Sequence, residues 1–288
     1  MKQIQWFPGH MAKARRQIEE KLQVIDIVYE VVDARVPLSS SNPMLNDIIR
    51  HKPKLILLNK DDLADPKITK EWIKYYKENA IEALSINSLT DNLEKTIYQK
   101  TLEILRDTIE KEAAKGMKPR PFNAIVIGIP NVGKSQFINN LAKKNKAKTG
   151  NLPGVTKIQS FLNAGDNLRV YDNPGVLWPK FDDELTGMKL ALLGSIKDSI
   201  LPIDEVTLFG IEYLKKHYPD SLEKRYGIDL TSLNDNIEIL DAIGKKRGCL
   251  VSGGEIDYDR VYNLFLNDLR NGLLGRMSFE RVDQNVRV

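Results

Sequence analysis

Residues 128–135 read Gly128-Ile129-Pro130-Asn131-Val132-Gly133-Lys134-Ser135, two glycines followed at once by a lysine and a hydroxyl side chain. Such a stretch suits phosphate. The glycines let the backbone turn until successive N–H groups point inward, and a helix starting there adds partial positive charge. In this spacing Lys134 is expected to reach the β- and γ-phosphates of a nucleotide, and Ser135 to bind a Mg²⁺ ion that bridges them. Asn131, Val132, Gly133 and Gln136 are expected to contact the nucleotide from the same loop. A phosphate loop does not choose its base, so an ATP-dependent kinase or ATPase stays open at this point.

A second cluster, Asn59-Lys60-Asp61-Asp62, lies 69 residues ahead of Gly128. It resembles the N-K-x-D motif of GTPases. The resemblance implies that the Asp62 carboxylate accepts hydrogen bonds from guanine N1–H and the exocyclic amine, a pair adenine does not offer. Asn59 would support the loop and contact the base, and Lys60 would pack its stem over the ring. Ser85-Ile86-Asn87 is a weaker match to the loop that backs guanine, through Ser85 and Asn87. Asp172-Asn173-Pro174-Gly175 resembles D-x-x-G, which implies that Asp172 holds Mg²⁺ through water and that the Gly175 N–H meets the γ-phosphate. Thr156 follows Ser135 by 21 residues and matches the switch threonine, whose hydroxyl binds Mg²⁺ when γ-phosphate is present. Each motif alone also reads as a turn, because Asn, Asp and Gly favour turns. Their joint occurrence carries the inference.

These groups need strand ends to hold them. Residues 24–32, 54–58 and 80–86 are apolar or β-branched and end in polar motifs, the pattern of buried parallel strands. Residues 91–112 carry apolar side chains at helical spacing, with Asp91 and Glu94 placed like a capping pair, and predict one crossover helix. A Gly/Pro/basic linker over 116–121 leads into a strand at 122–127, the glycine loop, and a helix over 134–144. Strands follow at 158–162 and 168–171. Beyond residue 180 the pattern is helices only, the longest over 257–273. The expected architecture is an α/β doubly wound, mostly parallel sheet, a circularly permuted P-loop GTPase fold, with a small C-terminal all-helical domain. The expected domains are residues 1–185 and 186–288.

At 288 residues, 42% hydrophobic and 28% charged, the composition is that of a folded globular chain rather than a disordered or fibrous one. No run approaches the ~20 apolar residues a membrane helix needs, the start lacks a signal-peptide pattern, and the single Cys249 forms no internal disulfide. Together these predict a cytoplasmic protein with no membrane partner. Residues 201–288 hold 12 Lys/Arg against 15 Asp/Glu, whereas residues 1–200 hold 31 against 24. The basic excess of the first two-thirds hints at a polyanionic partner without naming one.

The motif order, the opening Trp6-Phe7-Pro8-Gly9-His10-Met11, the segment Asp33-Ala34-Arg35-Val36-Pro37 and the loop at 128–135 together resemble the ribosome biogenesis GTPase A family across essentially the whole chain. The resemblance implies a GTP-hydrolysing assembly factor that binds a late precursor of the large (50S) ribosomal subunit and is released on hydrolysis. It implies slow intrinsic turnover stimulated by the particle, and a C-terminal region that binds ribosomal RNA. Ras-like enzymes place a water-orienting glutamine after D-x-x-G, but here that residue is Val176. The resemblance assigns the role to His10, acting with Lys134 in catalysis. It also places a K⁺ ion on Asn131. Gln136 and Asn173 depart from the commonest residues at their positions and are expected to tune rather than abolish binding. The net negative C-terminal third gives weak support for RNA binding, carried by Lys215-Lys216, Lys224-Arg225 and Lys245-Lys246-Arg247. The cofactor set is therefore Mg²⁺ with GTP/GDP and K⁺, the protein is expected to be monomeric, and the rival to catalysis is a nucleotide-stabilised RNA-binding scaffold.

Overall fold

The computed structural model describes residues 16, 18–49, 51–142, 161–173, 175, 177 and 183–282. The chain divides into two compact units, one of residues 1–62, 66–180 and 280–288, the other of residues 63–65 and 181–279.

The first unit is built on β1 (Ile27–Asp33), β2 (Lys54–Asn59), β3 (Glu82–Ile86), β4 (Phe122–Ile127), β5 (Leu162–Ala164) and β6 (Leu168–Tyr171). Their spatial order is β3-β2-β1-β4-β6-β5, and every neighbouring pair is parallel except β5 with β6. Helices α1 (Pro43–Ile49), α2 (Pro66–Glu78), α3 (Leu93–Ile104), α4 (Arg106–Ala114) and α5 (Lys134–Leu141) belong to the same unit. This is the doubly wound, mostly parallel α/β sheet that the apolar strand runs imply. All seven residues of β1 are buried, as a strand covered on both faces must be. Glu30 and Asp33 are its charged residues, and Glu30 is paired with the Lys54 ammonium at 3.1 Å and accepts the Ser41 hydroxyl at 2.6 Å.

The register decides where the polar motifs fall. Asp33 at the end of β1 sits opposite Asn59 at the end of β2, and Asn59 sits opposite Ile86 at the end of β3. Parallel strands put all their carboxyl ends on one side, so sequence-distant loops meet there.

Several element expectations differ from the structure, and the strand expected at 24–32 runs from Ile27 to Asp33. The strand expected at 80–86 starts at Glu82 because Ala80 has φ of 57° and closes α2, with the Ile81 N–H donating back to Tyr76 O at 2.9 Å. The single helix expected over 91–112 is two helices separated at Leu105 (φ −92°, ψ 8°). Thr101, fully buried four residues earlier, donates its hydroxyl to Ile97 O at 2.7 Å, a back-bond that bends helices, and shares a 2.7 Å bond with Tyr29 Oη. The Asp91–Glu94 capping pair does not form, since Asp91 accepts from the Asn87 N–H instead. Of the strand expected at 158–162, residues 158–160 lie outside the described residues, and the pairing described runs from Leu162 to Ala164.

The second unit contains α6 (Glu184–Leu192), α7 (Ile203–His217), α8 (Pro219–Tyr226), α9 (Asn236–Arg247) and α10 (Tyr258–Arg270). Asp183, Asp235 and Asp257 cap α6, α9 and α10 with side-chain bonds to backbone N–H groups of their first turns. Gly210 lets α7 pack closely, as a Cβ there would lie 2.7 Å from Leu192 and 2.8 Å from Phe265. Arg225 grips the buried Asp268 with two bonds of 2.8 Å each. The helices-only expectation needs one correction: Leu250 bridges Ile256 in a short antiparallel turn between α9 and α10. Gly253 and Gly254, at φ of 103° and 85°, supply the left-handed positions that turn requires. The helix expected to run to 273 stops at Arg270, where the Leu273 N–H folds back onto Asp268 O at 2.8 Å and Gly272 takes φ of 74°. No described helix is long and apolar enough to cross a membrane.

Candidate functional site

The glycine loop leaves β4 at Gly128, whose φ of 147° places it against β1: a Cβ there would lie 2.4 Å from Val31 O. Asn131 and Gly133 also adopt positive φ, 63° and 99°, so the loop curls before α5 starts. Gly133 caps α5 without a side-chain bond, which leaves the helix's first N–H groups directed at the loop. Within the loop Lys134 Nζ donates to Ile129 O at 2.7 Å. Ser135, Gln136 and Asn131 are exposed, while Val132 is buried.

The D-x-x-G segment closes on the same loop. A Cβ on Gly175 would lie 2.7 Å from Lys134 Nζ and 2.8 Å from Pro130 N, so glycine is required for this approach. Exposed Asp172 acts on the Lys134 ammonium electrostatically. Thr156 and His10 lie outside the described residues.

Burial draws the Lys134 ammonium down to about 8, with Asp172 opposing the shift. Phosphate bound beside it stabilises the charged form, so its pKa in the complex exceeds that in the free protein. GDP affinity is therefore expected to hold steady below pH 8 and to fall by up to about tenfold per pH unit above it, as binding begins to require proton uptake. Calorimetric titration of GDP at pH 7 and pH 9 in buffers of different ionisation enthalpy checks this; a pH-independent affinity with no proton uptake rejects it.

The guanine-type motif is joined to the glycine loop directly. Asn59, 2% exposed, donates its amide to Val132 O at 2.7 Å and accepts the Ser88 N–H on its Oδ1 at 3.0 Å. The fit is close, since a Cβ on Gly133 would lie 2.2 Å from Asn59 Nδ2. Lys60, in a left-handed turn with φ of 61°, reaches Asp33 Oδ2 at 3.0 Å. Arg35 also binds Asp33, at 2.9 Å through Nε and 2.8 Å through Nη2. Burial alone would raise the Asp33 carboxyl, but the two cations outweigh it and hold it well below the usual carboxylate range. Asp62, two residues beyond Lys60, is exposed.

Ser85 pairs within the sheet opposite Leu58, and Asn87 opens the following turn, its Oδ1 accepting the Leu89 N–H at 3.0 Å. Three contributors were not singled out from sequence. Asp33 anchors Lys60, Ser88 binds Asn59, and Asn140 of α5 donates to Ser88 O and Asp91 O at 3.0 and 2.8 Å. No local signal marks Ser88 or Asn140. Asp33 stood in a segment carrying the family resemblance, but its role depends on the β1–β2 register.

A family model described as 50S ribosome-binding GTPase matches residues 123–244. A Bacillus cereus protein named ribosome biogenesis GTPase A is 51% identical over 98% of this chain and 95% of its own length. A Mus musculus protein named mitochondrial ribosome-associated GTPase 1 is 32% identical over 96% of this chain and 90% of its own. Among solved structures, GDP-bound YlqF superposes with a TM-score of 0.68 at 27% identity, covering 92% of this chain and 99% of that one. GNP-bound YlqF from T. maritima gives 0.65 at 27% identity, covering 93% and 98%.

Proposed function

Because the chain belongs to the ribosome biogenesis GTPase A family, we propose that it is a Mg²⁺-dependent GTPase that binds a late precursor of the large ribosomal subunit and leaves it on hydrolysis. The observation that carries the nucleotide part is the Asn59–Val132 hydrogen bond of 2.7 Å, which brings the base-reading and phosphate-binding motifs into contact. One guanine nucleotide then spans from Asp62 to Lys134. We read the motif order as a circular permutation. The matched GTPase model starts at residue 123, downstream of Asn59, which supports that reading.

The donor set suits Mg²⁺ held mostly by the nucleotide: the exposed Ser135 hydroxyl in the first turn of α5, with the Asp172 carboxylate near Lys134. When bound, the ion offsets charge that develops on the phosphates. Lys134 adds its cation and Gly175 its N–H. Asn131, exposed in the curled loop, would hold K⁺, and Thr156 would complete the Mg²⁺ site in the GTP state.

The chain supplies valine at 176, which cannot orient water, so His10 is assigned that role in the particle-bound state. The partner face is assigned to the helical region 186–288, where Lys245, Lys246 and Arg247 close α9 and Lys215 and Lys216 close α7. A monomeric, cytoplasmic factor completes the reading. Single-turnover hydrolysis with purified large-subunit precursor, in potassium buffer, is expected to exceed the free rate by at least about 10²-fold, and sodium is expected to reduce it. His10→Ala is expected to abolish the stimulation while leaving particle binding intact. An undiminished stimulated rate in the bound variant removes His10, and no stimulation of the wild type favours a scaffold.

A further inference from the structure

We propose that Asn140 is a positioning residue that fixes the base-backing turn to the phosphate-binding helix, and so sets guanine selectivity and the residence time of the nucleotide. The inference rests on the guanine-nucleotide reading of the site. Asn140 is 4% exposed and sits on α5, six residues beyond Lys134, roughly 9 Å along the helix axis. Its amide N–H groups both go to the turn after β3, to Ser88 O at 3.0 Å and Asp91 O at 2.8 Å. The Ser88 N–H goes to Asn59 Oδ1 at 3.0 Å, and Asn59 Nδ2 returns to Val132 O at 2.7 Å. The bonds close a ring: phosphate loop, Asn59, Ser88, Asn140, α5, and back to the phosphate loop.

Within that ring, residues 87–91 have their own internal bonds, Asn87 N–H to the Asp91 carboxylate at 2.7 Å and Leu89 N–H to Asn87 Oδ1 at 3.0 Å. The turn therefore moves as a body, and Asn140 decides where that body sits relative to α5. A nucleotide gripped at both ends gains affinity only when both grips are correctly spaced, so slack between them lowers the effective concentration of one for the other. The phosphate grip does not use Asn140. Its loss should weaken whole guanine nucleotides and their discrimination, and spare pyrophosphate.

Asn140→Asp keeps the shape, removes both donors and sets a carboxylate against two carbonyl oxygens. Asn140→Ser carries the same test if that variant does not fold. Dissociation of a fluorescent GDP is expected to accelerate roughly tenfold or more, as two buried hydrogen bonds are lost. The GDP-over-IDP affinity ratio, which reads the exocyclic amine, is expected to shrink, pyrophosphate affinity to stay within about twofold, and Asn140→Gln to recover part of the loss. An unchanged dissociation rate and ratio in a folded variant overturns the proposal, and so does a parallel loss of pyrophosphate binding, which marks Asn140 as merely structural. Absence of any GDP-over-ADP preference in the wild type would instead fail the underlying reading.

Discussion

Asp62→Asn is expected to weaken GDP binding by roughly 10³-fold and to transfer affinity to xanthosine diphosphate. The carboxylate accepts two N–H groups of guanine, and a site built for such a pair rejects a mismatched partner strongly because buried polar groups are left unpaired. An asparagine amide presents one acceptor and one donor, which matches xanthine's N1–H and 2-carbonyl. Asp62 is exposed, so thermal stability is expected to change by less than about 0.5 kcal/mol. Equilibrium titration of GDP, XDP and ADP against both proteins reads the outcome. An ATP-using enzyme would show no exchange of preference.

Asp33→Ala is expected to cost about 3–5 kcal/mol of folding stability, the range for removing one partner of a buried ion pair. Asp33 is 1% exposed and Arg35 2%, so the guanidinium keeps its burial and loses its carboxylate, while Lys60 loses the anchor that orients it. Denaturant unfolding of the variant would measure the loss. The pH dependence follows from the direction of the shift. The folded carboxyl is held below its unfolded value of about 4, so its contribution is complete above that value and is lost as pH falls towards the folded pKa. The wild type is expected to lose stability below about pH 4 more steeply than the folded variant Asp33→Asn. Superimposable acid-unfolding curves would remove Asp33 from the network's energetics.

Both predictions concern residues whose types were visible in the chain, but they became legible in different ways. Lys134, Ser135 and Asp62 lie in motifs whose proposed roles rest on local geometry. A glycine loop between strand and helix has few ways to fold, and its N–H groups face inward whatever surrounds it. The strand runs ending in Asn59 and Ile127 were legible because a parallel sheet covered on both faces demands continuous apolar stretches. From those facts the doubly wound sheet follows, and with it the places of the phosphate-type loop and the guanine-type motif at strand ends.

The rest depended on partners far apart in sequence. Asn59 and Val132 are 73 residues apart, Lys60 and Asp33 27, and Asn140 and Ser88 52. No periodicity encodes such pairs, because strand register and the packing of α5 choose them. The break at Leu105 is likewise unmarked by the apolar spacing, and the Asp91 carboxylate bonds the Asn87 N–H rather than a helix cap. The residue order alone determined which side chains are the candidates for phosphate and base. Only the tertiary structure decided which buried groups hold them in place, since a hydrogen bond between distant segments exists only once the sheet has aligned them.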